Sequence, residues 1–151
     1  MKISAYLFFN GNCEEAFTRY QQILGGRIIG MLRARGTPAE AQMPPDWQDK
    51  IMHACLDLGG VQLMASDAPP GCSGSPQGFA VQLAPETAEE AERIFAALAE
   101  GGTVRMPLER TFWAERFGML VDRFGVPWMI NYAPPAADGA DMCMAQAETA
   151  S

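Results

Sequence analysis

Two reactive side chains stand two residues apart in this chain. His53 is the single histidine, and Cys55 follows it within the apolar run 51–58. An imidazole titrates near neutrality and can serve as a general base, and a thiol beside it can serve as a nucleophile. If the run is a strand, the two share a face but sit about 7 Å apart along it. That is too far for a direct hydrogen bond, so a buried histidine held by some other partner is the competing reading. Farther on, Trp113 is followed by Glu115 and Arg116. A guanidinium there can clamp an anionic ligand or make a surface ion pair. Met64, Met119 and Met129 can line an adaptable apolar pocket, or simply fill a core. His53 and Cys55 are thus the candidate catalytic residues.

The elements that must position these groups come in two copies. Asp57-Leu58-Gly59-Gly60-Val61-Gln62-Leu63-Met64 and Asp122-Arg123-Phe124-Gly125-Val126-Pro127-Trp128-Met129 match in Asp, the second Gly, Val and Met, sixty-five positions apart. Each reads as a glycine turn between apolar runs that pair as antiparallel strands. A helix precedes each hairpin. Asn12, with Glu15 as its capping-box partner, opens the first, and Thr87 with Glu90 opens the second. Ala16, Phe17, Tyr20, Ile23 and Leu24 recur at helical spacing, as do Ala91, Ile94, Phe95 and Leu98. Gly25-Gly26 and Gly101-Gly102 close the two helices. Strands are expected at 3–9, 27–33, 51–58 and 61–66, then at 79–83, 103–108 and within 117–132. Each half therefore reads strand–helix–strand–strand–strand. The expected modules are 1–67 and 75–133, divided by a Pro/Gly/Ser-rich linker and related by a pseudo-twofold. Residues 134–151 lack the periodicity of a core element and read as an extension. The proline-broken stretch 36–49 reads as a long loop whose Trp47 either closes over a ligand or anchors the loop.

Composition narrows the partners. The chain has 151 residues, 48% of them hydrophobic, and a formal net charge of −7. With no basic run, nucleic acid and anionic membrane surfaces are poor partners. No apolar stretch is long enough to span a bilayer, and the N-terminus lacks a secretory core, so a cytoplasmic location is expected. Cys13, Cys55, Cys72 and Cys143 form no CxxC pair, which argues against a structural zinc site and for reduced thiols.

The residues Tyr6-Leu7-Phe8-Phe9-Asn10-Gly11-Asn12-Cys13-Glu14-Glu15-Ala16, Lys50-Ile51-Met52-His53-Ala54 and Leu63-Met64-Ala65-Ser66-Asp67 carry a family resemblance. Trp113-Ala114-Glu115-Arg116-Phe117-Gly118-Met119 and the stretch 122–131 complete it. Over about 6–132 the chain resembles the PhnB-like proteins of the vicinal-oxygen-chelate superfamily, which includes glyoxalase I, bleomycin-resistance proteins and extradiol dioxygenases. The resemblance implies an α+β fold of two βαβββ modules. They would form an eight-stranded, incompletely closed sheet with helices on its outer face and a cavity on its inner face. Alternation would then put Ala5, Leu7, Leu56, Val61, Leu63, Trp128 and Ile130 under the helices. Tyr6, Phe8, His53, Cys55, Met64, Ala80, Gln82, Met129 and Asn131 would point into the cavity.

The resemblance further implies that metal-dependent relatives take their ligands from the first, fourth, fifth and eighth strands. Those positions here are Tyr6, Met64, Gly78 and Met129. Divalent ions want carboxylate or imidazole, so no metal and no cofactor is expected. The expectation is a metal-free site for an unidentified small molecule, with Tyr6, Phe8, His53, Trp113, Arg116, Met129 and Asn131 as ligand-binding residues. The alternatives are a metal-dependent lyase, isomerase or dioxygenase with unusual ligands, and a structural dimer with a vestigial cavity. A homodimer is also expected, from the resemblance and from the free strand edges.

Overall fold

The computed structural model describes residues 1–69, 71 and 74–134. The expected C-terminal extension beyond 134, and Cys72 and Cys143, lie outside them. Contacts divide the chain into two compact units, Met1–Ser75 and Pro76–Ser151.

The first unit runs β1 (Ala5–Phe9), α1 (Cys13–Leu24), β2 (Arg27–Arg33), β3 (Ile51–Asp57) and β4 (Gln62–Asp67). The second runs β5 (Val81–Leu83), α2 (Ala88–Ala99), β6 (Thr103–Glu109), β7 (Arg116–Val121) and β8 (Pro127–Tyr132). Each builds a four-stranded mixed sheet, ordered β1-β4-β3-β2 in one and β5-β8-β7-β6 in the other. The first strand of each unit lies parallel to the fourth, and the remaining pairs are antiparallel. This is the expected glyoxalase-like α+β plan, with one helix packed on each sheet.

Alternation explains the packing. In β1, Leu7 and Phe9 are buried, and Phe9 meets Phe17 of α1 edge-on at 6.3 Å. In the second unit Trp128, Ile130 and Leu120 are buried with Ala91, Ile94, Phe95 and Leu98 of α2. Gly118 lies in that layer because nothing larger fits. A Cβ there would stand 2.7 Å from Phe95 Cε2 and 3.0 Å from Leu108 Cα. The second glycine after each helix is required by a similar approach. A Cβ on Gly26 or on Gly102 would lie 2.3 Å from the carbonyl oxygen of Asp57 or Val121, respectively.

Several expectations need correction. Val61 is 68% exposed rather than packed under a helix, because it belongs to the hairpin turn ahead of β4. Ala5, at the start of an edge strand, is exposed too. Phe79 is 54% exposed and outside β5. Pairing with β8 begins only at Val81–Trp128, since Val126 is already occupied in the turn, where its N–H bonds to Asp122.

Asn12 occupies the N-cap of α1 but makes no side-chain capping bond. Asp67, at the end of β4, supplies the acceptor instead. Its Oδ1 takes the N–H groups of Gly11 and Cys13 at 2.9 and 3.0 Å, and its Oδ2 takes the N–H of Ile51 at 2.8 Å. One buried carboxylate thus ties the helix start to two strand ends. Thr87 does cap α2, accepting from the Glu90 N–H at 3.1 Å, while the Glu90 carboxylate accepts from the Glu86 N–H.

The two hairpins are not equal copies. Met64 and Met129 are sixty-five positions apart, but the residues opposite them, Cys55 and Met119, are sixty-four apart. The second turn holds one more residue, and its aspartate does more. Asp57 Oδ1 accepts from Gly60 alone at 3.0 Å, at the surface. Asp122 is buried, accepting from Phe124 and Val126 through Oδ1 and from the Trp128 indole through Oδ2 at 2.8 Å.

Candidate functional site

In the first unit the sheet face away from α1 carries the sequence-predicted candidates together. Because Leu7 and Phe9 face the helix, Tyr6 and Phe8 must face the other way. Parallel pairing sets Tyr6 beside Met64 and Phe8 beside Ser66, and Cys55 flanks Met64 from β3. Tyr6 is 39% exposed and Phe8 61%. Tyr6 Oη lies 3.2 Å from His53 Nδ1. The Tyr6 ring stands 5.2 Å from that of Phe8 and 5.8 Å from the imidazole. The phenol can donate to a bare Nδ1 or accept from a protonated one, so the pair survives a change of imidazole charge.

Cys55 does not join this dyad as a nucleophile. It is buried, and burial followed by the nearby Asp57 charge raises its thiol pKa above the ordinary value. His53 bonds to Tyr6, and no hydrogen bond links it to Cys55. The i, i+2 spacing along one strand face explains the separation.

In the second unit the corresponding face carries a different chemistry on the same register. Gln82, Met129, Met119 and Met106 form one row across β5, β8, β7 and β6. A bulge between Val104 and Met106 brings Met106 into this row, a shift that strict alternation cannot foresee. Asn131 opposes Phe117 in the neighbouring row, and Trp113 from the β6–β7 loop meets Phe117 edge-on at 5.2 Å. Trp113, Met129 and Asn131 are therefore grouped by the fold.

Arg116 is not part of that group. It opposes Tyr132, one position out of phase with Phe117–Asn131, and alternation sends it to the helix side. There its Nε donates to Glu92 of α2 at 2.9 Å and its Nη1 donates to the Glu115 carbonyl. Trp47 likewise sits near the β1–α1 turn, its ring edge within van der Waals reach of Gly11. Its loop is held by bonds from Arg33 to the Asp49 carbonyl and from Arg35 to the Asp49 carboxylate.

The fifth-strand position also needs correction. Tyr6 opposes Met64 in the first unit, and the residue that opposes Met129 in the second is Gln82. Gly78 precedes β5 and has no strand partner. The paired residues at the expected positions are therefore Tyr6 with Met64 in the first unit and Gln82 with Met129 in the second. Neither pair, a phenol with a thioether or an amide with a thioether, offers the several carboxylate or imidazole donors that a divalent ion needs. Among the described residues no three His, Cys, Asp or Glu side chains converge as ligands.

A cleft of about 340 Å³ opens beside the start of α1, lined by Gly11, Glu14, Arg33, Asp49, Lys50 and Asp67 among others. Several of its polar groups are already engaged. Lys50 Nζ donates to the Gly11 carbonyl at 2.9 Å, Arg33 pairs with Glu14 at 2.8 Å, and Asp67 holds the three backbone N–H groups described above. These bonds organise the turn between β1 and α1. Sequence reading passed over Asp67, whose one signal was its place at the end of a strand within a motif.

Comparison with known proteins follows the geometry. Residues 1–131 match the family model described as 3-demethylubiquinone-9 3-methyltransferase. The chain is 50% identical to protein PA1353 from Pseudomonas aeruginosa, whose structure superposes with a TM-score of 0.81, covering 89% of this chain and 98% of that one. A putative 3-demethylubiquinone-9 3-methyltransferase, PhnB protein, from Bacillus cereus is 27% identical with a TM-score of 0.73, covering 88% of this chain and 100% of its own. A glyoxalase/bleomycin resistance protein/dioxygenase family enzyme from Burkholderia phytofirmans shares the fold, at 18% identity and a TM-score of 0.60, covering 86% of this chain and 96% of that one.

Proposed function

This chain belongs to the family described as 3-demethylubiquinone-9 3-methyltransferase, a PhnB-like branch of the vicinal-oxygen-chelate superfamily, and from that membership we propose that it binds a small organic molecule without a metal ion. The carrying observation is the cluster of Tyr6, Phe8 and His53 on the sheet face away from α1, in which the exposed Tyr6 ring packs against the exposed Phe8 ring and hydrogen-bonds the imidazole. Exposed aromatics backed by an oriented polar dyad suit a planar ligand with a polar edge. Met129, Asn131 and Trp113 provide a second, more apolar surface in the other unit.

The donor chemistry of the Tyr6–Met64 pair in one unit, and of the Gln82–Met129 pair in the other, favours metal-free binding over the metal-dependent reading. A homodimer fits the free sheet edges and the exposed Phe8, Leu32 and Phe79. A cytoplasmic location fits the free thiols of Cys13 and Cys55. Among the described residues no helix is long and apolar enough to cross a membrane.

The test is a thermal-shift screen of metabolite-like aromatics and quinols, run on the wild type and on Tyr6→Ala and His53→Ala. Ligands that raise the melting temperature of the wild type and lose their effect in either variant support the reading. A screen without shifts overturns it, as does stoichiometric Zn²⁺, Mn²⁺ or Fe²⁺ in protein purified without added metal. The methyl transfer named in the family's description is assayed on any quinol that binds, with S-adenosylmethionine as donor. Turnover would replace the binding reading with an enzymatic one. Light scattering that returns a mass near 16.4 kDa would remove the dimer.

A further inference from the structure

We infer that the open sheet face of the second unit takes a neutral, largely apolar molecule that donates a hydrogen bond, from a hydroxyl or an N–H, to Asn131. This deepens the binding reading above and rests on it. Asn131 is only 8% exposed, and its Oδ1 is sealed from solvent with no hydrogen-bond partner. A sealed carboxamide oxygen without a donor is costly and uncommon. Placement on β8 puts the side chain on the face of Met129 and opposite Phe117, away from α2.

The fold does not need this amide. Ser66 occupies the matching place in the first unit, two residues after Met64 as Asn131 is two after Met129. The same strand plan is built there with a small hydroxyl, so the unsatisfied oxygen is a feature of this face and not of the scaffold.

The neighbours define the ligand. Met106, Met119 and Met129 form a continuous thioether row, and flexible methionines can move aside for an apolar body. Phe117, with Trp113 edge-on to it, flanks the orphan oxygen. Arg116, adjacent to Phe117 in β7, is turned to the helix face and paired with Glu92. Glu109, opposite Phe117 in β6, places a carboxylate at the end of the same row. An acceptor amide with a carboxylate beyond it favours a donor and disfavours an anionic ligand.

The experiment uses 2-naphthol and 2-methoxynaphthalene, which share an apolar body while the ether lacks the donor. Both are titrated by NMR into the full-length wild type and into Asn131→Leu, an apolar replacement of similar volume. The wild type is expected to bind the naphthol about tenfold tighter than the ether, the worth of one hydrogen bond. Asn131→Leu should bind both with the ether's affinity, and the free variant should melt higher than the wild type because the orphan oxygen is gone. Equal binding of the two probes to the wild type, or discrimination that survives in the variant, overturns this inference and leaves the binding reading standing. Failure of both probes to bind also overturns it, while the ligand screen above decides that broader reading independently. If Asn131→Leu does not fold, Asn131→Val, which likewise carries no acceptor, serves for the same titrations. A lower melting temperature for every foldable variant would mark Asn131 as a structural partner and refute the assignment.

Discussion

Replacing Asp67 by alanine should unfasten the first unit more than any other single polar change in it. The carboxylate is nearly buried and accepts three backbone N–H groups, at 2.9 Å from Gly11, 3.0 Å from Cys13 and 2.8 Å from Ile51. A hydrogen bond to a charged acceptor is worth about 1.5–3 kcal/mol, and a buried donor left alone costs about 1–3 kcal/mol. The Gly11 amide is partly exposed and can be rehydrated, whereas the Cys13 and Ile51 amides are buried. Counting two bonds nearly in full and the third in part, the expected loss is about 3–5 kcal/mol, a large fraction of the roughly 5–15 kcal/mol that holds a domain together. With a urea slope of about 1–3 kcal/mol per molar, the midpoint should fall by about 2 M. Asp67→Asn keeps one acceptor oxygen but turns an NH₂ toward donors, and about half that loss is expected. Urea titration gives the energy, and amide exchange at Cys13 and Ile51 gives the location. A midpoint shift worth less than about 1 kcal/mol, or unchanged exchange at both amides, would refute the capping role.

Three further outcomes are expected. Gly118→Ala should destabilise by about 1–3 kcal/mol through overpacking against Phe95 and the Leu108 backbone, read by the urea midpoint and partly relieved in a Phe95→Leu background. Asp122→Ala should cost about 3 kcal/mol and Asp57→Ala under about 1 kcal/mol, because one aspartate is buried with three bonds and the other makes one bond at the surface; equal melting shifts would contradict this. Burial first, then the charges of Asp67 and Glu14, push the Cys13 thiol up to about 12, and Cys55 is raised by burial and Asp57. Since the thiolate is the reactive form, neither should be alkylated by iodoacetamide at pH 8 in the native protein. Peptide mass spectrometry resolves the sites, and modification of Cys13 before denaturation would count against the packing.

Much of this fold was legible because its signals are local. The stripe Ala91, Ile94, Phe95 and Leu98 has helical period, and Thr87 with Glu90 is a cap that needs no distant partner. The αL glycines and the paired hairpins announce the duplicated plan. What failed depended on distant geometry. Asn12 looks like a cap from its neighbours, yet Asp67 arrives from the other end of the unit and takes the helix amides first. The fifth-strand position was misread at Gly78 because β5 is three residues long, too short for alternation to fix a register. Pairing with Met129 fixes it at Gln82. Which of its two readings suits Arg116 was not legible for a related reason, since its facing is set by opposing Tyr132 and not by its loop neighbours.

Duplication also explains why residues that look like one site fall into two chemically distinct faces. Both units inherit a methionine at the centre of the fourth strand, Met64 and Met129, each flanked by a first-strand and a third-strand residue. Around Met64 stand Tyr6 and Cys55, and around Met129 stand Gln82 and Met119. One row out, Phe8 pairs with Ser66 in the first unit and Phe117 opposes Asn131 in the second. Backbone pairing constrains none of these identities, because the ladder bonds use only main-chain groups. The helix-facing rows, by contrast, must fill a closed volume and so stay apolar in both copies, with small residues such as Ala54, Ala65 and Gly118 among the large ones. A face freed from packing in two copies can keep an oriented Tyr–His dyad on one and an unsatisfied amide among thioethers on the other. The costs of those arrangements fall on single side chains, and that is why the two faces can diverge in chemistry while their strands keep the same order.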